Sequence, residues 1–372
     1  MKKRAYYILL VMAGCFFLSA AWHDSGLANA ADKAVPRYDE STVKNIYVIT
    51  MATGKVVLID KIDDSPEQIR SADMKQNAFS AMGRTSARPG DIMVKEIRKE
   101  KGSVDTILLM DTVNGTLSYL TGLGDNPDKG EVKAVSEKPT QAIASNDANY
   151  SMFLRYAPKG ETIGAYLCHL TDGKCLYFNE IQKMHKKYAP DATNNVCAIM
   201  NISSTLEIHA GIEGPRFHLL VDHVTGELYW IEVDQKNPKK LYCRKEHKLK
   251  LLDVFPEKSE IMAPYRFVMI PVLIDNDSTW HVFIIDVGTG AMALYNVHDY
   301  KNTELKRVEE NLYKYLPKDT VGSRFFTAVP QILKGFTKGA WLFDSATGNV
   351  LFLDRIDDVH DFKIRAVTIE KK

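Results

Sequence analysis

Six times along the chain a short apolar run breaks at a polar turn ending in glycine, then resumes. The copies read IYVITMATGKVVLID, ILLMDTVNGTLSYL, AYLCHLTDGKCLYF, HLLVDHVTGELYWI, VFIIDVGTGAMALY and WLFDSATGNVLFLD. Short runs rich in β-branched and aromatic residues, bounded by turn residues, predict strands, and each turn makes its pair a hairpin. The turn glycines are Gly54, Gly115, Gly173, Gly226, Gly290 and Gly348, at intervals of 61, 58, 53, 64 and 58 residues. Such even spacing predicts one structural unit used six times.

The turn chemistry explains the residue types. An Asp stands four before the glycine at Asp111, Asp222, Asp286 and Asp344. Its carboxylate can accept backbone N–H groups across the turn, and the glycine supplies a left-handed conformation. A four-residue loop then places the positions five before and two after each glycine opposite one another. These pairs are Ile49/Val56, Met110/Leu117, Cys168/Cys175, Val221/Leu228, Ile285/Met292 and Phe343/Val350. All are apolar or Cys, as buried cross-strand pairs should be.

Further strands are expected before each hairpin after the first, at 91–97, 150–156, 196–201, 266–274 and 324–332. Later strands are expected at 131–135, 240–245 and 362–370. Three or four strands per unit predict an all-β, six-bladed β-propeller of about 57 residues per blade. The first copy has no evident preceding strand, and 362–370 is expected to complete it and close the ring. A stack of open hairpins and two packed sandwiches are the alternatives. Helical insertions are expected in the connectors. Leu305, Val308, Leu312 and Tyr315 follow helical spacing after Asn302; Ser65-Pro66-Glu67 reads as a helix start; Ile181, Met184 and Tyr188 form a third, weaker pattern.

The stretch Asp222-His223-Val224-Thr225-Gly226-Glu227-Leu228-Tyr229-Trp230 resembles the D-x-x-T-G-x-x-x-W signature of pyrroloquinoline-quinone-type propeller repeats. Ser145-Asn146-Asp147-Ala148-Asn149 resembles a turn of bacterial WD40-like propellers. The resemblance is to the repeat and implies an envelope propeller. It implies no quinone, because the quinone enzymes use shorter and more numerous repeats.

Ahead of the repeats, Lys2, Lys3 and Arg4 precede an apolar run from Ala5 to Trp22, and Ala28-Asn29-Ala30 supplies small residues. This is the form of a secretory signal, so 1–30 is expected to be removed and 31–372 to form one propeller domain. Met12-Ala13-Gly14-Cys15 offers a rival, lipid anchoring through Cys15; an uncleaved anchor is a third reading. Periplasmic or secreted location is therefore expected, with membrane contact only if Cys15 is lipidated.

Composition then narrows the function. Apolar residues make up 45% and charged residues 26%, which excludes disorder. Formal net charge is +1. Removing 1–30, with three cations and Asp24, leaves about −1 and no basic field for nucleic acid. In an oxidising compartment the facing pair Cys168/Cys175 predicts a disulfide, whereas Cys197 and Cys243, expected in different strands of the fourth repeat, are read as unpaired.

Arg266 and Arg324 each lie 24 residues before their turn glycine, with Asp91 and Asn149 at the same offset in the second and third repeats. At the mouth of a central channel this set would suit a carboxylate or phosphate. A ring of polar residues solvated or paired across the channel is the alternative. Histidines show no metal-ligand spacing, His169 reads as a polar turn residue, and 125–128 and 275–277 miss the calcium-loop pattern. No catalytic residue, metal or cofactor is expected. The basic clusters 183–187 and 244–250 would face solvent, an acidic partner or lipid headgroups. The reading is a non-catalytic binding or scaffolding propeller, monomeric, with an envelope protein or small anionic ligand as partner. The alternative is a hydrolase or lactonase with its site at the channel mouth.

Overall fold

The computed structural model describes residues 10–11, 45–49, 53–60, 70–87, 91–98, 104–111, 116–121, 131–135, 150–157, 161–179, 181, 191–199, 202–209, 216–234, 236–255, 266–275, 278–297, 304–316, 326–333, 336–344, 349–367 and 370–371. The described residues form an all-β propeller of sheets in chain order. The first sheet holds β1 (Leu10–Val11), β2 (Asn45–Ile49), β3 (Lys55–Asp60) and β4 (Arg70–Asn77). The second holds β5 (Ile92–Arg98), β6 (Val104–Asp111), β7 (Leu117–Thr121) and β8 (Glu131–Val135). The third holds β9 (Tyr150–Tyr156), β10 (Thr162–His169), β11 (Lys174–Asn179) and β12 (Asp191–Ala192). The fourth holds β13 (Ile202–His209), β14 (Arg216–Asp222), β15 (Glu227–Val233) and β16 (Leu241–Lys250). The fifth holds β17 (Phe267–Asp275), β18 (Ser278–Asp286), β19 (Ala291–Asn296) and β20 (Leu305–Val308). The sixth holds β21 (Phe326–Leu333), β22 (Phe336–Asp344), β23 (Val350–Asp354) and β24 (Lys363–Val367). The final strand, β25 (Glu370–Lys371), joins the outer edge of the first sheet.

The expectation of six equivalent blades is corrected. Five sheets are regular four-stranded antiparallel blades, not six; the N-terminal sheet is five-stranded and mixed. Among the described residues its hairpin has no antiparallel inner strand. Leu10–Val11 takes that place parallel to β2, and Glu370–Lys371 runs parallel to β4. The C-terminal segment thus does not supply the inner strand; it forms the outer strand of the sixth sheet and then clasps the first.

All six facing pairs occur in the register expected, from Ile49↔Val56 to Phe343↔Val350. The apolar runs are continuous rather than alternating because both faces of most sheets are covered. In β18, Phe283 and Ile285 pack toward the sixth sheet, while Val282 and Ile284 pack toward the fourth. Comparable cores join sheets one and two, two and three, and three and four.

The expected connector helices are also corrected. Leu305–Val308 is a strand, followed by a 3-10 turn at Leu312–Lys314, while Ser65-Pro66-Glu67 lies outside the described residues. Of the third pattern, Met184 and Tyr188 lie outside the described residues. Among the described residues the α-helix is the single turn α1 (Leu251–Val254). The apparent helical spacing came from a strand and a tight turn in succession, each burying its own apolar residue: Val308 and Leu312. No helix among the described residues is long and apolar enough to cross a membrane. Of the stretch expected to be a leader, residues 1–9 and 12–30, including Cys15, lie outside the described residues.

Candidate functional site

The turns build the first polar cluster. Asp222 Oδ1 accepts from the Val224 and Thr225 N–H groups, both at 2.9 Å, and Asp286 Oδ1 accepts from Gly288 N at 3.0 Å. Gly54, Gly173, Gly226 and Gly290 have φ between +68° and +74°. In the third repeat His169 replaces the Asp, and its Nδ1 lies 2.8 Å from Asp172 Oδ1, within the same turn.

A second layer fastens four of the turns, among the described residues, to the chain that follows the outer strand. The carbonyls of Gly54, Gly173, Gly226 and Gly290 accept from Ala78, Val196, Leu251 and Leu312 N–H at 2.8–2.9 Å. In two sheets an asparagine completes the latch. Asn311 Nδ2 donates to Thr289 O at 2.9 Å, while its Oδ1 accepts from Tyr313 N at 2.9 Å. Asn77 does the same for Thr53 and Phe79. Sequence inspection missed this device, although Asn77-Ala78-Phe79 and Asn311-Leu312-Tyr313 share a pattern at nearly the same distance after the glycine.

The expected ligand residues fall around these turns. Arg266 is buried; its Nε donates to Asp286 Oδ1 at 3.1 Å, and its Nη2 donates to Asp286 Oδ2 at 2.7 Å and Phe255 O at 3.3 Å. Asp91 accepts from Arg84 Nη2 at 2.8 Å. Arg84 also donates through Nη1 to both oxygens of Asp111, at 2.9 Å each. Arg266 and Asp91 are thus each tied to an ion pair of their own sheet's turn Asp. Asn149 and Arg324 lie outside the described residues. Arg84 had no sequence signal, because it reaches Asp111 from the connector and has no counterpart at that offset.

One disulfide lies in the core between sheets three and four and a second packs against it. Cys168–Cys175 bridges β10 and β11, as expected. Cys197–Cys243 is a correction to the unpaired reading, with Cα atoms 5.6 Å apart. The inner strand of the fourth sheet begins at Ile202, not 196, so Cys197 lies in the segment between β12 and β13, bonded to Cys243 on β16. Among the described residues no group of three or more His, Cys, Asp or Glu side chains is placed to hold a metal ion.

On the outer face of the fourth sheet, Glu227 Oε1 lies 2.6 Å from Lys245 Nζ and 3.3 Å from Lys250 Nζ, and Tyr229 OH donates to Oε2 at 3.0 Å. The Lys245 hydrogen bond chiefly holds the carboxyl down at about 2, against burial, which opposes it. Burial and the Glu227 carboxylate push the Tyr229 phenol up to about 12.

No protein-family model matches the chain, and no curated protein matches it. Similar solved structures include a functionally unknown protein from Desulfotomaculum acetoxidans, with TM-score 0.44 and 9% identity, covering 84% of this chain and 76% of that one. A putative 6-phosphogluconolactonase from Bacteroides uniformis has TM-score 0.44 and 10% identity, over 85% and 92%. A periplasmic gluconolactonase from Pseudomonas aeruginosa has TM-score 0.45 and 11% identity, over 86% and 78%. Likeness at this level lends the chain no residue role, ligand or reaction. With no family model matched, the resemblance to quinone-type and WD40-like repeats extends only to the propeller itself.

Proposed function

We propose that the chain is an exported, non-catalytic binding or scaffolding propeller that holds an envelope protein or small anionic ligand. The observation that carries this reading is the use made of the buried turn carboxylates. Asp286 is held by Arg266, Asp111 by Arg84, and Asp222 by N–H groups of its own turn. These charges organise loops: they fix the turns that carry the connectors, which is what a rigid presenting surface needs. Two disulfides fit an oxidising compartment and support export, to the periplasm or beyond the cell. The test is affinity capture from envelope extract with the folded full chain as bait and heat-unfolded chain as control. A reproducible partner set held only by the folded bait is expected; an empty eluate would contradict the reading.

A further inference from the structure

The loop between β15 and β16 has the sequence of an adaptable surface segment, Asp234-Gln235-Lys236-Asn237-Pro238-Lys239-Lys240. Instead it is held from several sides. Asp234 Oδ1 accepts from Lys236 N and Asn237 N, both at 2.9 Å. Asn237 Oδ1 accepts from Lys239 N at 3.1 Å, and Asp234 N donates to Lys240 O at 3.0 Å. Tyr242 OH donates to Asp234 Oδ2 at 3.0 Å.

The third sheet braces it from outside. Tyr166 OH donates to Pro238 O at 2.7 Å, and Asn194 N donates to Lys239 O at 3.2 Å. The Asn194 side chain brackets Leu241, accepting from its N–H at 2.6 Å and donating to its carbonyl at 2.8 Å. The Cys197–Cys243 disulfide closes the brace.

What the brace presents is positive charge around an aromatic ring. Lys236, Lys239, Lys240 and Arg244 are exposed, and Tyr242 is 45% exposed with the Lys240 ammonium 4.8 Å from its ring centroid. Four cations thus lie within 234–244 in a chain of formal net charge +1. The one carboxylate of the segment, Asp234, serves the loop's own N–H groups and Tyr242. A loop already ordered does not lose that freedom again on binding, so its contacts count more fully toward affinity. Exposed Tyr and Arg in such a setting are the residue types that anchor protein interfaces.

We infer that 236–244 is a docking surface for an acidic segment of a partner protein, with Tyr242 as anchor and Lys236, Lys240 and Arg244 around it. This rests on the binding reading above and names its surface. Asp191, half exposed and paired with Lys239 at 3.1 Å, shares the edge. Such mixed charge suits a protein surface better than a uniformly anionic lipid one.

The experiment titrates purified full chain into labelled poly-L-glutamate across a salt series. It compares Lys236→Glu/Lys240→Glu with the charge-matched control Lys306→Glu/Lys363→Glu. Wild type and control should bind alike and weaken with salt, while the loop variant binds at least tenfold more weakly. No binding by the wild type, or equal loss in both variants, would overturn the inference, as would equal retention on phosphatidylglycerol vesicles. Cys197→Ser/Cys243→Ser keeps every cation and should bind severalfold more weakly; unchanged binding would overturn the role of the brace. Envelope partners that survive the loop charge reversal would sink this surface and leave the binding function standing. An empty wild-type eluate beside intact poly-glutamate binding would do the reverse.

Discussion

Asp286 is fully buried, and its charge is tolerated there because Arg266 meets both of its oxygens. Removing one member of a buried pair leaves the other without compensation and commonly costs about 3–5 kcal/mol. Arg266→Met should therefore lower stability by about 3 kcal/mol, read as a fall in the urea midpoint. The glycines separate conformation from packing. Gly83 has φ +68° with nothing within 4 Å of an added Cβ, whereas at Gly290, φ +72°, that Cβ would stand 2.7 Å from Asn311 Oδ1. Gly83→Ala should cost about 1 kcal/mol from backbone conformation alone, and Gly290→Ala about 1–2 kcal/mol more. Equal losses in urea unfolding would refute the packing role of Asn311. The turn Asp and Gly were legible because local geometry dictates them. Arg84 was not, since its partner lies 27 residues away and no repeat spacing marks it.

At the scale of elements, hairpins were legible and connectors were not. The register of all six hairpins follows from a short turn of fixed length, which leaves one apolar pairing. The connectors have no such constraint. After Asn302, spacing of three and four residues is shared by a helix and by a strand followed by a 3-10 turn, and tertiary latching to Gly290 decides between them. Misplacing the inner strand of the fourth sheet by several residues hid the Cys197–Cys243 pairing. The ion pairs between β15 and the outer strand of that sheet carry a pH-dependent contribution. Glu227 falls from 4.5 to about 2 on folding, chiefly through Lys245. Its stabilisation is full above about 4.5 and is lost as pH falls toward 2. Glu227→Gln should be less stable than wild type by about 1 kcal/mol at pH 7, and the two should converge near pH 2. A thermal-melt difference that does not narrow between pH 7 and 2.5 would contradict this.

At the scale of the molecule, the propeller is continuous from sheet to sheet through buried apolar cores, and the last two-residue strand returns to the first sheet. Repeat counting found the hairpins but not the departure of the N-terminal sheet, because a count assigns every hairpin the same neighbours. It aligned Arg266 with Asp91 by offset, but offset from a glycine reports position along a strand and not the partner of a side chain. Their partners are turn carboxylates and an arginine of the scaffold. The central claim is that these charges hold the fold, while binding occurs on the surface it presents. Partner capture by the Arg266→Met chain, at a temperature where it remains folded, tests this most directly. The variant should retain the same envelope proteins as the wild type despite its lower stability. Loss of those proteins with stability unchanged would contradict the claim.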